Sequence, residues 1–184
     1  MRRLRVECAW KREQTHESLR RYLVEESWET LEAIDSGDPD HLREELGDLL
    51  LQVFLHAAIA EQAGEFTMAE VAHDVTDKMV RRNPHVFAPD GSTDLDPAGV
   101  NEAWEAAKAL EKQRTSVTDG LPSTLPALLY ADKVLDRLAR TGSVPAVPRD
   151  ADDLGERLLA LVAEARESGT DPEQALRDAV RRLL

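Results

Sequence analysis

The sequence predicts an all-α protein, a helical bundle, and three observations carry that prediction. Strand signals are nearly absent: aromatic residues make up 4% of the chain and no stretch alternates cleanly between apolar and polar. Helix start and stop signals recur along the whole length. Apolar residues return at helical spacing.

The elements follow in order. Thr15 is a helix N-cap for a segment 15–35 that ends at Ser36-Gly37. Asp38-Pro39 pairs an N-cap with proline at the first helical position and opens a helix over 39–62; the same pair recurs at Asp96-Pro97 and Asp171-Pro172. Thr67-x-x-Glu70 reads as a capping box for 67–82, and Asn83-Pro84 stops that helix because a residue before proline avoids the α region. Further helices are expected over 97–114, 124–140, 151–167 and 172–184. Asn83 to Leu95 reads as a polar loop and Ser143 to Pro148 as a proline-containing linker. The second helix is apolar on more than one face. Leu42, Leu46, Leu49, Val53, Ala57 and Ala60 form one stripe, and Leu51, Phe54, Leu55, Ala58 and Ile59 cover much of the rest. Such a helix lies at the centre of a bundle or between its core and a subunit interface, and the second option predicts a homo-oligomer.

Composition bounds the function. With 184 residues, 36 acids and 23 bases, the net charge is −13. The length fits one domain, or one and part of a second. An acidic chain repels phosphates in bulk, so nucleic acid and anionic membrane are not expected as partners, although a single phosphate-binding pocket is compatible. Cys8 is the only cysteine, so there is no disulfide framework. The opening MRRLRVECAW lacks the apolar core of a signal peptide. The longest apolar run, Leu49 to Ala60, is interrupted by Gln52 and His56 and is too short to span a bilayer. A cytoplasmic protein is expected. No glycine-rich phosphate loop is present.

The chain also repeats itself. Glu44-Glu45-Leu46-Gly47-Asp48-Leu49-Leu50 returns as Asp152-Asp153-Leu154-Gly155-Glu156-Arg157-Leu158, and both copies continue as helix, glycine-containing turn and capped helix. The pattern implies a duplication whose second copy is truncated, with no acidic cluster ahead of it.

That acidic cluster is the strongest chemical signal. Glu26 falls within the stripe formed by Leu19, Tyr22, Leu23, Ala33 and Ile34, Glu29 at its edge and Glu25 further out. On the next helix Glu45 borders the Leu42/Leu46/Leu49 stripe and Asp48 lies one turn on. If the two helices pair antiparallel across Gly37, the acids face one another. A solvated acidic face is the usual explanation of a glutamate triplet. A carboxylate on an apolar face is costly unless paired or metal-bound, and several converging carboxylates need a cation to stay ionised. All-oxygen donors favour Mg²⁺, Mn²⁺ or Ca²⁺ over zinc. Downstream, Lys78, Arg81 and Arg82 close the third helix, where they complement its dipole or meet phosphate. Lys108 follows Trp104 by one turn, a spacing that lets an indole stack on a base while the ammonium reaches a phosphate.

Glu25-Glu26-x-x-Glu29 followed by Glu45-x-x-Asp48 resembles the EExxE…ExxD signature of MazG-type nucleotide pyrophosphohydrolases. CAWKREQTHESLRRYLVEESWE resembles the family opening, although its proline and aspartate are Ala9 and Lys11 here; DKMVRRNPHVF, NEAWEAAKALEK and GLPSTLPALLYADKV resemble further family segments. The resemblance implies a bundle completed by dimerisation. It also implies Mg²⁺-dependent hydrolysis of nucleoside triphosphates between the α and β phosphates, with Mn²⁺ able to substitute. Carried over, Glu26, Glu29, Glu45 and Asp48 are the metal ligands, and Glu25 and Glu26 are the catalytic pair. Lys78, Arg81, Arg82, Trp104 and Lys108 are the substrate-binding residues. A catalytic unit over 8–114 and a degenerate, structural unit over 115–184 are implied, since Asp153 and Glu156 stand at the ExxD positions without partners.

Two other classes compete. A di-iron carboxylate bundle uses Glu-x-x-His pairs, and Glu13-x-x-His16 and Glu70-x-x-His73 have that spacing. However, Glu13 precedes the Thr15 cap and Glu70 belongs to the capping box. A non-catalytic dimeric binding module is the other alternative, and the intact acidic constellation argues against it. His56 shares a face with Glu45, which suits a partner to the acidic site; His41 and His85 carry no signal.

Overall fold

Helix caps written in the sequence set most of the element boundaries. The computed structural model describes residues 1–88, 95–111, 116–142 and 151–183. Two short helices come first, α1 (Arg2–Glu7) and α2 (Ala9–Glu13), ahead of the first one expected. α3 (His16–Ser36) starts at Thr15, whose Oγ1 accepts the Ser18 N–H at 3.2 Å while Ser18 Oγ accepts the Thr15 N–H at 3.0 Å. It ends at Gly37, which takes the left-handed conformation (φ 69°) that reverses the chain. α4 (Pro39–Ala63) starts at Asp38, whose Oδ1 accepts the Asp40 N–H at 2.9 Å. α5 (Met68–Arg82) has the Thr67/Glu70 capping box and stops at Asn83.

The loop expected after Asn83 instead opens with one helical turn, α6 (Pro84–Phe87), because Pro84 suits a first helical position. α7 spans Pro97–Glu111; the residues expected to extend it to 114, like the linker at Ser143–Pro148, lie outside the described residues. α8 (Ala127–Arg140) begins three residues later than expected, since Pro126 at its N-cap keeps Leu125 out of the α region. α9 (Leu154–Glu167) also begins late, because Asp153 is its N-cap and accepts the Glu156 N–H at 2.9 Å. α10 is Pro172–Arg181. The described residues contain no strand, and none of their helices is long and apolar enough to cross a membrane.

The chain divides into two compact units, Met1–Lys108 and Ala109–Leu184. The first is built on the α3–α4 hairpin. Leu19, Ala33, Leu55, Ala58 and Ala60 form its core, and withdrawing Leu19 and Leu55 from water contributes about 2 kcal/mol each. The short α1–α2 segment is clipped on by arginines. Arg2 bridges to Glu61 at 2.7 Å. Buried Arg5 donates to Gln62 Oε1 at 2.8 Å, to Gln14 O at 3.0 Å and to Lys11 O, so it closes the end of α2. The expected apolar stripes divide. Small alanines line the buried seam, while Leu23, Val24, Trp28, Leu31 and Ile34 on α3 and Leu46, Leu50, Val53 and Phe54 on α4 are exposed in the single chain. In the second unit α8, α9 and α10 pack on one another around Leu135, Ala160 and Val162.

Candidate metal centre

The α3–α4 hairpin brings carboxylates together by simple register. Glu29 and Glu45 lie equally far before and after Gly37, as do Glu26 and Asp48, so an antiparallel pair aligns them. One carboxylate oxygen from each of Glu26, Glu29 and Glu45 lies within 4.8 Å of the others. Among the described residues this is the one group of three or more potential metal-ligating side chains. Thr30 locks the register: its buried Oγ1 donates to Glu26 O at 2.7 Å and lies 3.5 Å from Glu45 O on the facing helix.

Glu26 is half-buried, and burial, followed by the charges of Asp48 and Glu29, pushes its pKa above the usual carboxylate range. Gln52 Nε2 donates to Glu26 Oε1 at 3.2 Å and works against that rise. Glu45 is met by His41 Nε2 at 3.4 Å, one turn earlier on α4. Asp48 is not part of the three-residue cluster but acts on Glu26 through its charge. Glu25 is exposed and outside the cluster. Repelling carboxylates held at this spacing form an all-oxygen donor set that fits a hard divalent cation.

The expected phosphate-binding residues sit on α5 and α7. Lys78 is half-buried, Arg81 exposed and Arg82 buried. The Arg82 guanidinium lies 5.2 Å from the centroid of the Trp104 ring, so those two are brought together by a cation–π contact. Lys108 Nζ pairs with Glu105 Oε1 at 2.8 Å.

Sequence reasoning missed Gln52, Thr30 and His41. The signal for Gln52 was available: an amide interrupting an apolar run, one turn after Asp48. His56 interrupts the same run, but its partner is His16 rather than Glu45. Their Nδ1 atoms are 2.7 Å apart and their rings stack at a centroid distance of 5.0 Å. Burial, then the neighbouring His16, lowers the His56 pKa. The iron-type spacings dissolve in the fold. Glu13 and His16 lie on different helices, Glu70 accepts from Thr67 N–H and Oγ1–H at 2.7 and 2.8 Å, and His73 meets Asp77 at 3.3 Å.

The second unit treats its acids differently. Asp153, aligned with Glu45, caps α9. Asp132 and Asp136 on α8 both meet Arg166 of α9, at 2.6 and 3.1 Å. Burial pushes the Asp136 carboxyl up, but the hydrogen bonds and charges of Arg140 and Arg166 together outweigh it and hold the pKa below the usual range.

Comparison with known proteins adds relatives. The family model described as the MazG nucleotide pyrophosphohydrolase domain matches residues 14–87. The chain is 36% identical over 201 residues to the nucleoside triphosphate pyrophosphohydrolase of Escherichia coli K12, covering 94% of this chain and 76% of that one. It is 35% identical over 200 residues to the nucleoside triphosphate pyrophosphohydrolase/pyrophosphatase MazG of Thermotoga maritima, covering 96% and 76%. It is also 49% identical over 144 residues to the nucleoside triphosphate pyrophosphohydrolase of Mycobacterium tuberculosis, covering 77% of this chain but 43% of that longer one. Among solved structures, a mazG-related protein from Thermotoga maritima aligns with a TM-score of 0.49 at 26% identity, over 58% of this chain and 90% of that one.

Proposed function

This chain belongs to the MazG family of nucleotide pyrophosphohydrolases, and from that membership we propose that it hydrolyses ribo- or deoxyribonucleoside triphosphates between the α and β phosphates. The products are a nucleoside monophosphate and pyrophosphate, the cofactor is Mg²⁺ with Mn²⁺ as a substitute, and the role is cleansing of the nucleotide pool in the cytoplasm. The observation that carries the reading is the group of three carboxylates within 4.8 Å of one another, all inside the segment that matches the family model.

Glu26, Glu29, Glu45 and Asp48 would hold the cation. When bound, a divalent ion supplies a Lewis acid for the phosphate oxygens and lowers the pKa of water. The chain's own residues do the rest. Glu25, exposed and next in sequence to Glu26, accepts the proton of the attacking water. Glu26 is the second member of the catalytic pair as well as a ligand to the cation. Lys78, Arg81, Arg82 and Lys108 offset charge on the phosphates, and Lys108 leaves Glu105 to do so. Trp104, with Arg82 on its face, offers a ring for the nucleoside base.

Exposed apolar side chains along α3 and α4 support a homodimer that completes the bundle over this hairpin. The degenerate unit expected over 115–184, within the compact unit Ala109–Leu184, is structural. The test is product analysis by phosphorus NMR over a panel of NTPs and dNTPs with and without Mg²⁺. The reading predicts metal-dependent pyrophosphate and monophosphate. Orthophosphate with a diphosphate, or no turnover of any nucleotide, would overturn it.

A further inference from the structure

We propose that Gln52 is a positioning residue for the cation site, holding Glu26 in the cluster through a neutral hydrogen bond. The inference rests on the reading of the α3–α4 carboxylates as that site. Gln52 lies one turn beyond Asp48 on α4 and is only 4% exposed. Its Nε2 donates to Glu26 Oε1 at 3.2 Å, while its own Oε1 is buried with no partner.

An orphaned buried acceptor destabilises a fold, and an apolar residue such as leucine would fill this position without one. The amide is therefore not there for packing. What it supplies is a donor aimed at a carboxylate that two like charges, Glu29 and Asp48, repel. Without that donor, repulsion turns Glu26 toward water. A lysine or arginine would also hold it, but would neutralise the cluster and take the cation's place. An amide orients the carboxylate and leaves its charge for the metal. The second unit shows the contrast: Ala160 stands at the aligned position, and an arginine, Arg166, meets its carboxylates.

The test is calorimetric titration of Mn²⁺ into the full chain, without nucleotide, for wild type, Q52L and Q52N. Leucine removes the donor, and asparagine withdraws it by one methylene. Both variants are expected to bind Mn²⁺ about tenfold more weakly. The melting temperature of metal-free Q52L should match or exceed that of wild type, because the orphaned acceptor is gone. In turnover, the Mg²⁺ concentration for half-activation should rise while kcat at saturating Mg²⁺ stays near wild type. A purely structural glutamine would lower the melting temperature and leave the Mn²⁺ affinity of the folded protein unchanged. Affinities within twofold of wild type in both variants overturn the inference, and if Q52L does not fold, Q52N decides it alone. A wild type that binds no Mn²⁺ is a different result: the carboxylate reading falls, and the role of Gln52 with it.

Discussion

Two helix pairs in this chain carry carboxylates into a half-buried seam, and they settle the resulting charge in opposite ways. In the α3–α4 pair, Glu26 is clustered with Glu29 and Glu45, and its pKa is raised by burial and then by the charges of Asp48 and Glu29. In the α8–α9 pair, Asp132 and Asp136 face Arg166, and the Asp136 pKa is lowered despite its burial. The second pair is electrostatically complete as a protein. The first gathers like charges at a spacing that fits a hard divalent cation. The Glu45-x-x-Asp48 spacing recurs as Asp153-x-x-Glu156, but there Asp153 caps α9, and the carboxylates that meet Arg166 come from α8, outside that repeat.

Breaking the first pair should have the largest effect. Glu26→Gln is expected to cost turnover at least about 10²–10³-fold, the loss seen when one preorganised electrostatic group is removed, with helicity by circular dichroism unchanged. Wild-type rates in that variant would contradict the assignment. Breaking the second pair should act on stability alone. Arg166→Ala removes the ion pair of part-buried Asp132 and leaves Asp136 with Arg140 alone, and should lower unfolding stability by about 2 kcal/mol, measured by urea denaturation, with Mn²⁺ affinity intact. A smaller effect of the same kind is expected at the repeated ExxD position: Asp153→Ala removes the α9 cap at about 1 kcal/mol and leaves pyrophosphate release unaltered.

The pH dependence sharpens the contrast. The folded pKa of Glu26 is raised, so the metal-free fold binds more protons there than the unfolded chain. That stabilisation is present below the ordinary glutamate value of about 4.3 and is lost as pH rises through the folded pKa. The melting temperature of metal-free wild type should therefore fall over that interval relative to Glu26→Gln, and Mg²⁺ should abolish the difference. His56 works the other way. Its pKa is lowered, so its contribution is present above about 6.5 and is lost as pH falls through the folded value. His56→Asn should flatten that acid-side decline in a thermal-melt series.

Much of this was legible in the sequence because it is local. Thr15, Asp38, Thr67 and Asp171 cap helices through side chains that reach only two or three residues ahead, and the α3–α4 acids follow from register about a single glycine turn. What was not legible depends on contacts between distant segments. The α1–α2 segment is held by Arg2 on Glu61 and Arg5 on Gln62, pairs nearly sixty positions apart that no periodicity announces. His56 was visible as a polar residue in an apolar run, but its stacking on His16 was not. The apolar surplus of α4 was read correctly as too large for one face. Which of its leucines are exposed depended on the alanine-lined seam with α3.

The most direct test of the central claim is Mn²⁺ binding by electron paramagnetic resonance, comparing wild type with two double variants, Glu29→Gln/Glu45→Gln and Asp132→Asn/Asp136→Asn. The account predicts that the first loses bound Mn²⁺ and the second keeps it at the wild-type level. Retention of Mn²⁺ by the first variant, or its loss from the second, would contradict it.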